Sequence, residues 1–296
     1  SFLFKENGRK QLQEMIYQLY NHPSIAFWGL FTNITAKGDN PIEYIRELNE
    51  IAHYLTPNII TTATSNEDGP INFVTDAIAW GQYFGWRSGK PEDIKLWLDP
   101  FASKWRDLKP ALAEYGAGAN IYQQSEQVRA ASEESDWHPE GWQSRFHETY
   151  LNNIKGRPYL WGYFVNTLFD YGQSSYHNGL ESGVNDLGLV TGDRHVKKDA
   201  FYLYKANWNP NDPFVHITGR RNDLLTSPVQ QITVYSNQPE VELWVNGESA
   251  GQQTTGGGIA RWNNIKLQKG ENHIRATGNG TEDEITLFLS DALVVQ

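Results

Sequence analysis

The chain has 296 residues, a net charge of −10 and a pI near 5.3, and it has no cysteine. Such an acidic balance without a basic run excludes a phosphate-backbone partner, which needs clustered Lys and Arg, so no nucleic acid is expected. The lack of cysteine excludes disulfides and thiolate chemistry, and no apolar run reaches the roughly 18 residues of a membrane span.

Residues 6 to 20 are predicted to be a helix, with Leu12, Met15, Ile16 and Leu19 spaced by three and four. Pro23 ends it, because proline disfavours helical geometry in the residue before it. The apolar run Ser24 to Phe31 then has the composition of a strand covered on both faces. After Asp39-Asn40-Pro41 comes a second helix, striped by Ile42, Ile45, Leu48, Ala52 and Leu55.

Strands are expected at Asn58 to Thr64, Ala77 to Trp80 and Pro110 to Ala113, with a helix around 91 to 108 between the last two. A helix around 140 to 154 precedes the apolar run Tyr159 to Phe169. Alternation of this kind implies parallel strands joined by crossover helices, here about five βα units. Glu114 stands where the Pro110 strand ends, the position at which a barrel enzyme keeps its chemistry, and the small residues Gly116 to Ala119 let the backbone turn there.

From about residue 212 the pattern changes to short alternating segments such as Gln231 to Ser236 and Glu240 to Val245, with a hairpin signal at Asn246-Gly247. A β-sandwich of immunoglobulin type with about seven strands is expected, giving domains at 1–211 and 212–296. The eight histidines show no close-spaced ligand pair, so no metal site is expected. His138, Glu140, His147 and Glu148 read as residues of helix starts and helix surfaces. Glu67, Asp68 and Glu126 read as solvated loop carboxylates that could reach a barrel mouth.

Asn21-His22-Pro23-Ser24-Ile25 with Phe27-Trp28-Gly29-Leu30, Glu114 to Ala119, Gly188 to Thr191 and Lys198 to Ala206 together resemble glycoside hydrolase family 2 β-galactosidases of gut Bacteroidetes. The resemblance covers nearly the whole chain. It implies a (β/α)8 TIM-type barrel, represented here by part of its strands, followed by an immunoglobulin-like domain. It also implies a retaining mechanism on a β-galactoside or related carbohydrate, no organic cofactor, and a periplasmic or extracellular bacterial location, although no targeting signal stands in this sequence.

By that resemblance Glu114 is the nucleophile and Tyr83 its hydrogen-bond partner. Trp80, Thr32, Asn166, Tyr176 and Asn178 fall at substrate-binding positions. Four departures stand out. The family's Asn-Glu after Phe-Trp-Gly-Leu is Thr32-Asn33 here, so the acid/base position holds an amide with no proton to give. The family's Trp on the last strand is Asn166, and an Arg-x-Glu-Gly pattern has become Tyr176-His177-Asn178-Gly179. Five strands do not close an eight-strand barrel, so either a homo-oligomer that covers the open edges or a fragment with a rearranged, open sheet is expected, and the sequence does not choose between them. Two readings follow, a glycosidase weakened by loss of its acid and a non-catalytic carbohydrate-binding or scaffold protein.

Overall fold

A computed structural model describes residues 2–34, 40–104 and 109–290. Compactness divides the chain into two units: residues 1–83, 93–115 and 154–165, and residues 84–92, 116–153 and 166–296. Neither unit begins at residue 212, where the sequence pattern changes.

The first unit is built on a parallel sheet in sequential order, from β1 (Phe27–Thr32) through β2 (Ile60–Ser65), β3 (Ala77–Gly81) and β4 (Pro110–Tyr115) to β5 (Tyr163–Val165). Helices α1 (Phe2–Leu19) and α2 (Ile42–Leu55) lie against one face of it. Their stripes are the spaced apolar positions read from sequence, and Leu12, Ile16, Ile45, Leu48 and Ala52 join Trp28, Phe31, Ala63, Ile78 and Trp80 in one core. The expected helix around 91 to 108 is instead two short ones, α3 (Asp93–Leu98) and α4 (Phe101–Lys104). Pro100 breaks the run because it can donate no helical hydrogen bond. Residues 105–108 of that expected helix lie outside the described residues.

Beyond the edge pair Phe27 and Ile60, the opposite face of the sheet carries small side chains along β1 to β4. Register pairs Gly29 with Thr62, Thr62 with Ala77, Thr64 with Ala79 and Ala79 with Ala111. Side chains alternate between faces along a strand, so these positions stand opposite the bulky residues that meet α1 and α2.

The second unit carries α5 (Glu140–Ile154), whose last residue falls in the first unit, a two-stranded ribbon of β6 (Tyr171–Gly172) and β7 (Val184–Asn185), and α6 (Asp199–Trp208). The sandwich follows: β8 (Val215–Ile217), β9 (Leu224–Leu225), β10 (Val229–Ser236), β11 (Glu240–Val245), β12 (Glu248–Thr254), β13 (Ile259–Lys266), β14 (Gly270–Gly278) and β15 (Thr281–Leu289). These eight form sheets ordered β13-β10-β8 and β12-β11-β14-β15-β9, one strand more than expected. Ile217, Val234, Val241, Leu243, Ile274 and Ala276 fill the space between them. The Asn246-Gly247 turn joins β11 to β12 with both residues at positive φ, 52° and 85°, as a tight hairpin turn demands.

Candidate active site

Strand β4 does not run regularly into Glu114. Trp80 pairs with Leu112, but Gly81 pairs with Glu114, so Ala113 is an extra residue, a β-bulge. Without the bulge Glu114 would fall on the same face as Leu112, the buried face that Trp80 shares. With it, the carboxylate turns to the face of small side chains. A Cβ built on Gly81 would stand 3.6 Å from Glu114 Oε2 and 3.7 Å from the Tyr83 ring, which shows all three on that face. Strand β1 bulges as well: Gly29 pairs with Thr62 but Thr32 with Thr64. This brings Thr32 to the same side.

Glu114 is half-buried, and the Tyr83 hydroxyl donates to its Oε2 at 3.1 Å. Its backbone carbonyl accepts from Gln82 N–H at 2.8 Å, tying the residue to the end of β3. Thr32 and Asn33 are exposed at the end of β1, and Asn33 N–H donates to Thr64 C=O at 2.9 Å. Asn33 holds a left-handed φ of 49°, a conformation that asparagine adopts more readily than most residues. Two strands, β2 and β3, stand between it and Glu114.

Trp80 is not where the resemblance put it. It follows the alternation to the helix face, is 3% exposed, and meets Phe101 and Trp97 edge-on at centroid distances of 5.1 and 5.9 Å. It is core, and the expected substrate contact is withdrawn.

Asn166, Tyr176 and Asn178 belong to the second unit. Asn166 opens a cis peptide to Thr167. Tyr176 is buried, its hydroxyl takes no hydrogen bond among the described residues, and burial pushes its ionisation well above the usual tyrosine range. Asn178 is half-buried in the adjoining loop. The small residues after Glu114 serve close approach rather than a left-handed turn. A Cβ on Gly116 would come within 2.1 Å of Asn166 O, and one on Gly118 within 2.3 Å of Asp186 Oδ1.

His138, just before α5, and Glu140, His147 and Glu148 within it are also not surface groups. All four are buried: Glu140, His147 and Glu148 on the inward face of the helix, and His138 in the loop before it, against Gln123 and Asp186. Glu140 accepts from Asp199 N–H at 2.7 Å, Gln124 Nε2 at 3.0 Å and the Arg221 guanidinium. Glu148 accepts from Tyr235 OH at 2.7 Å and from Arg261. His147 Nδ1 lies 2.8 Å from Tyr204 OH, and burial, with help from Lys198, pulls its pKa down to about 3. Glu126 accepts from the backbone N–H of Thr226 and Ser227, so it is a loop clamp rather than a mobile acid. Glu67 is half-buried and its neighbour Asp68 exposed just beyond β2. No group of three or more His, Asp or Glu among the described residues is placed to hold a metal ion, and no described helix is long and apolar enough to cross a membrane.

A parallel α/β sheet with a carboxylate turned out at a strand end, together with a β-sandwich, is an arrangement found in glycosidases, and the comparisons agree. The chain is 45% identical over 288 residues to the β-glucuronidase of Bacteroides fragilis, covering 96% of this chain and 41% of that protein. Two crystal structures superpose closely. The FMN-binding β-glucuronidase of Faecalibacterium prausnitzii L2-6 gives a TM-score of 0.91 at 32% identity, covering 98% of this chain and 45% of that one. A putative β-galactosidase of Bacteroides fragilis gives 0.90 at 31%, covering 97% and 44%. Residues 228–284 match the profile of a domain of unknown function (DUF4982). The chain thus spans less than half the length of these relatives. Over nearly its whole length it is a homologue of the β-glucuronidases and β-galactosidases of glycoside hydrolase family 2 type.

Proposed function

We propose that the chain is the part of a retaining family 2 glycosidase that carries the nucleophile, with Glu114 in that role and the sheet β1–β5 as a segment of a (β/α)8 barrel. The observation that supports this best is the Tyr83 hydroxyl 3.1 Å from Glu114 Oε2, at the end of a strand bulged to present the carboxylate. Tyr83 donates to one oxygen and so orients the carboxylate, leaving the other to attack an anomeric carbon. The bond from that carbon to the leaving oxygen breaks as the bond to Glu114 forms. A retaining pair keeps its second carboxyl roughly 5 to 5.5 Å away to protonate the leaving group. Asn33 occupies that partner's position and supplies no proton.

General acid help is worth about a hundred- to ten-thousand-fold, so turnover falls most for leaving groups of high pKa and least for those that depart unprotonated. FMN, which the Faecalibacterium β-glucuronidase binds, has no part in such a displacement, since no electrons are transferred. A second reading, carbohydrate binding without hydrolysis, is favoured by the amides at Asn33 and Asn166.

Incubation with 2-deoxy-2-fluoro-β-galactosyl fluoride and, separately, its glucuronyl counterpart separates the readings by intact mass and peptide mapping. Fluoride leaves without a proton, so only the nucleophile is tested. A stable adduct on Glu114 is expected, and the sugar that labels faster identifies the glycoside class. No adduct from either reagent, on protein that melts cooperatively, would replace the enzyme reading with the binding one.

A further inference from the structure

The sequence holds four Asn-Gly pairs, Asn7-Gly8, Asn178-Gly179, Asn246-Gly247 and Asn279-Gly280. Such a pair is chemically labile, because glycine has no side chain to keep its backbone nitrogen away from the amide carbon of the asparagine before it. Whether the attack occurs depends on what holds that nitrogen and that amide in the fold.

The first three pairs are held. Gly8 lies inside α1, where the helix ties its N–H into the backbone ladder. Gly179 N–H donates to Ser135 O at 2.9 Å. The Asn246 amide is clamped at both ends, its Oδ1 accepting His273 N–H at 2.8 Å and its Nδ2 donating to Asn272 Oδ1 at 3.0 Å. Asn279-Gly280 differs. These two exposed residues make the whole turn between β14 and β15, since Gly278 pairs with Thr281. The Asn279 side chain and the Gly280 N–H form no hydrogen bond among the described residues, and a Cβ built on Gly280 would meet nothing within 4 Å.

We propose that Asn279 is a modification site at which the folded chain deamidates spontaneously, with water as the only co-reactant, while the fold protects Asn7, Asn178 and Asn246. Gly280 N attacks Asn279 Cγ; the new C–N bond forms as the Cγ–Nδ2 bond breaks, and ammonia leaves with the proton from Gly280 N. Water then opens the ring. Cleavage at Cγ gives aspartate, and cleavage at the main-chain carbonyl gives isoaspartate, in which the chain runs through the side chain. Either product adds a negative charge close to Glu282, Asp283 and Glu284. Isoaspartate also adds a backbone methylene to a two-residue turn, whose length sets the register of the Gly278–Thr281 pair. The hairpin carries Ile274, Ala276, Leu287 and Leu289 of the sandwich core, so isoaspartate weakens the fold more than aspartate does. The inference does not depend on Glu114 being a nucleophile.

Peptide mapping by mass spectrometry tests it on the full chain, kept folded in mildly alkaline buffer at physiological temperature, with a parallel sample in guanidinium chloride. In the folded sample the peptide with Asn279 should be the first to gain the mass of an NH2-to-OH exchange. Asn246 should follow about tenfold more slowly or not at all, the weight of the bonds that hold its amide. In denaturant, where nothing holds any of the pairs, all four should react at similar rates. The deamidated fraction, isolated by ion exchange, should melt below Asn279→Asp, which carries the charge without the extra methylene. The proposal fails if Asn279 stays intact in the folded chain, if Asn7, Asn178 or Asn246 reacts there as fast, if Asn279 leads by the same margin in denaturant, or if the deamidated fraction melts together with Asn279→Asp.

Discussion

Glu114 and Glu140 are both glutamates at the edge of a regular element, and their surroundings could hardly differ more. Glu140 is 1% exposed and both its oxygens are engaged, by Arg221, Gln124 and the Asp199 N–H. Glu114 is half-buried and accepts one side-chain hydrogen bond among the described residues, from Tyr83. A carboxylate with every lone pair occupied is part of the framework. One with lone pairs to spare, on a face cleared of large side chains, is free to react. The distinction lies in the count of donors, not in the residue type.

The sharpest way to break that contrast is to remove each carboxylate. Glu140→Ala leaves the Asp199 N–H without its acceptor and Arg221 with only the longer contact to Asp199 at 3.5 Å, a change that costs about 3–5 kcal/mol for a buried pair. Glu114→Ala should cost less than about 1 kcal/mol. Urea denaturation of the two variants checks this, and equal losses would refute the assignment of framework and reactive roles.

The second expected effect concerns acid. His147 is held neutral, with its pKa near 3, whereas in the unfolded chain it titrates near 6.5. Its folded pKa is depressed, so between those values the unfolded state binds the extra proton. Stability is therefore lost as pH falls below about 6.5, with a loss of about 2 kcal/mol from this group alone at pH 5. Denaturant midpoints at pH 7 and 5 measure it, and His147→Gln should flatten the dependence. An unchanged slope in that variant would show that His147 is not the group responsible.

The smallest effect is expected at Tyr83. Tyr83→Phe removes the donor to Glu114 while keeping the ring, so labelling of Glu114 by the fluorosugar fluoride should slow about tenfold, the weight of one hydrogen bond to a charged group. A rate equal to that of the parent chain would leave Tyr83 as packing only.

Much of the first unit was legible in sequence because its signals are periodic. The stripe at Ile45, Leu48 and Ala52 and the apolar run at Phe27 to Phe31 need only a helix period and a covered strand to be placed. Glu114 was legible as a carboxylate at a strand end. The bulge at Ala113 was not, since a one-residue slip leaves no mark in composition, yet it decides which face Glu114 occupies. Trp80 needs no slip: two residues after Ile78, it follows the alternation of β3 to the helix face. Glu140, His147 and Glu148 of α5, and His138 just before it, are buried, where a polarity pattern reads them as solvent-facing. Their partners, Asp186, Tyr204, Arg221, Tyr235 and Arg261, come from 48 to 113 residues away. No local window contains that information.

Lys198 has a consequence for how the second unit comes together. Its ammonium is shared by acceptors 79, 28 and 12 residues distant, so three chain loops of different length must close before the charge has a complete set of partners. Burying an ammonium with only one of them in place would cost several kcal/mol. The lysine therefore stays in water until Ala119, Asp170 and Asp186 have all arrived, and its entry completes the assembly rather than starting it. Gly188, Asp170 and the strand-end loop are thus locked in one late event, which gives this corner of the molecule its order all at once.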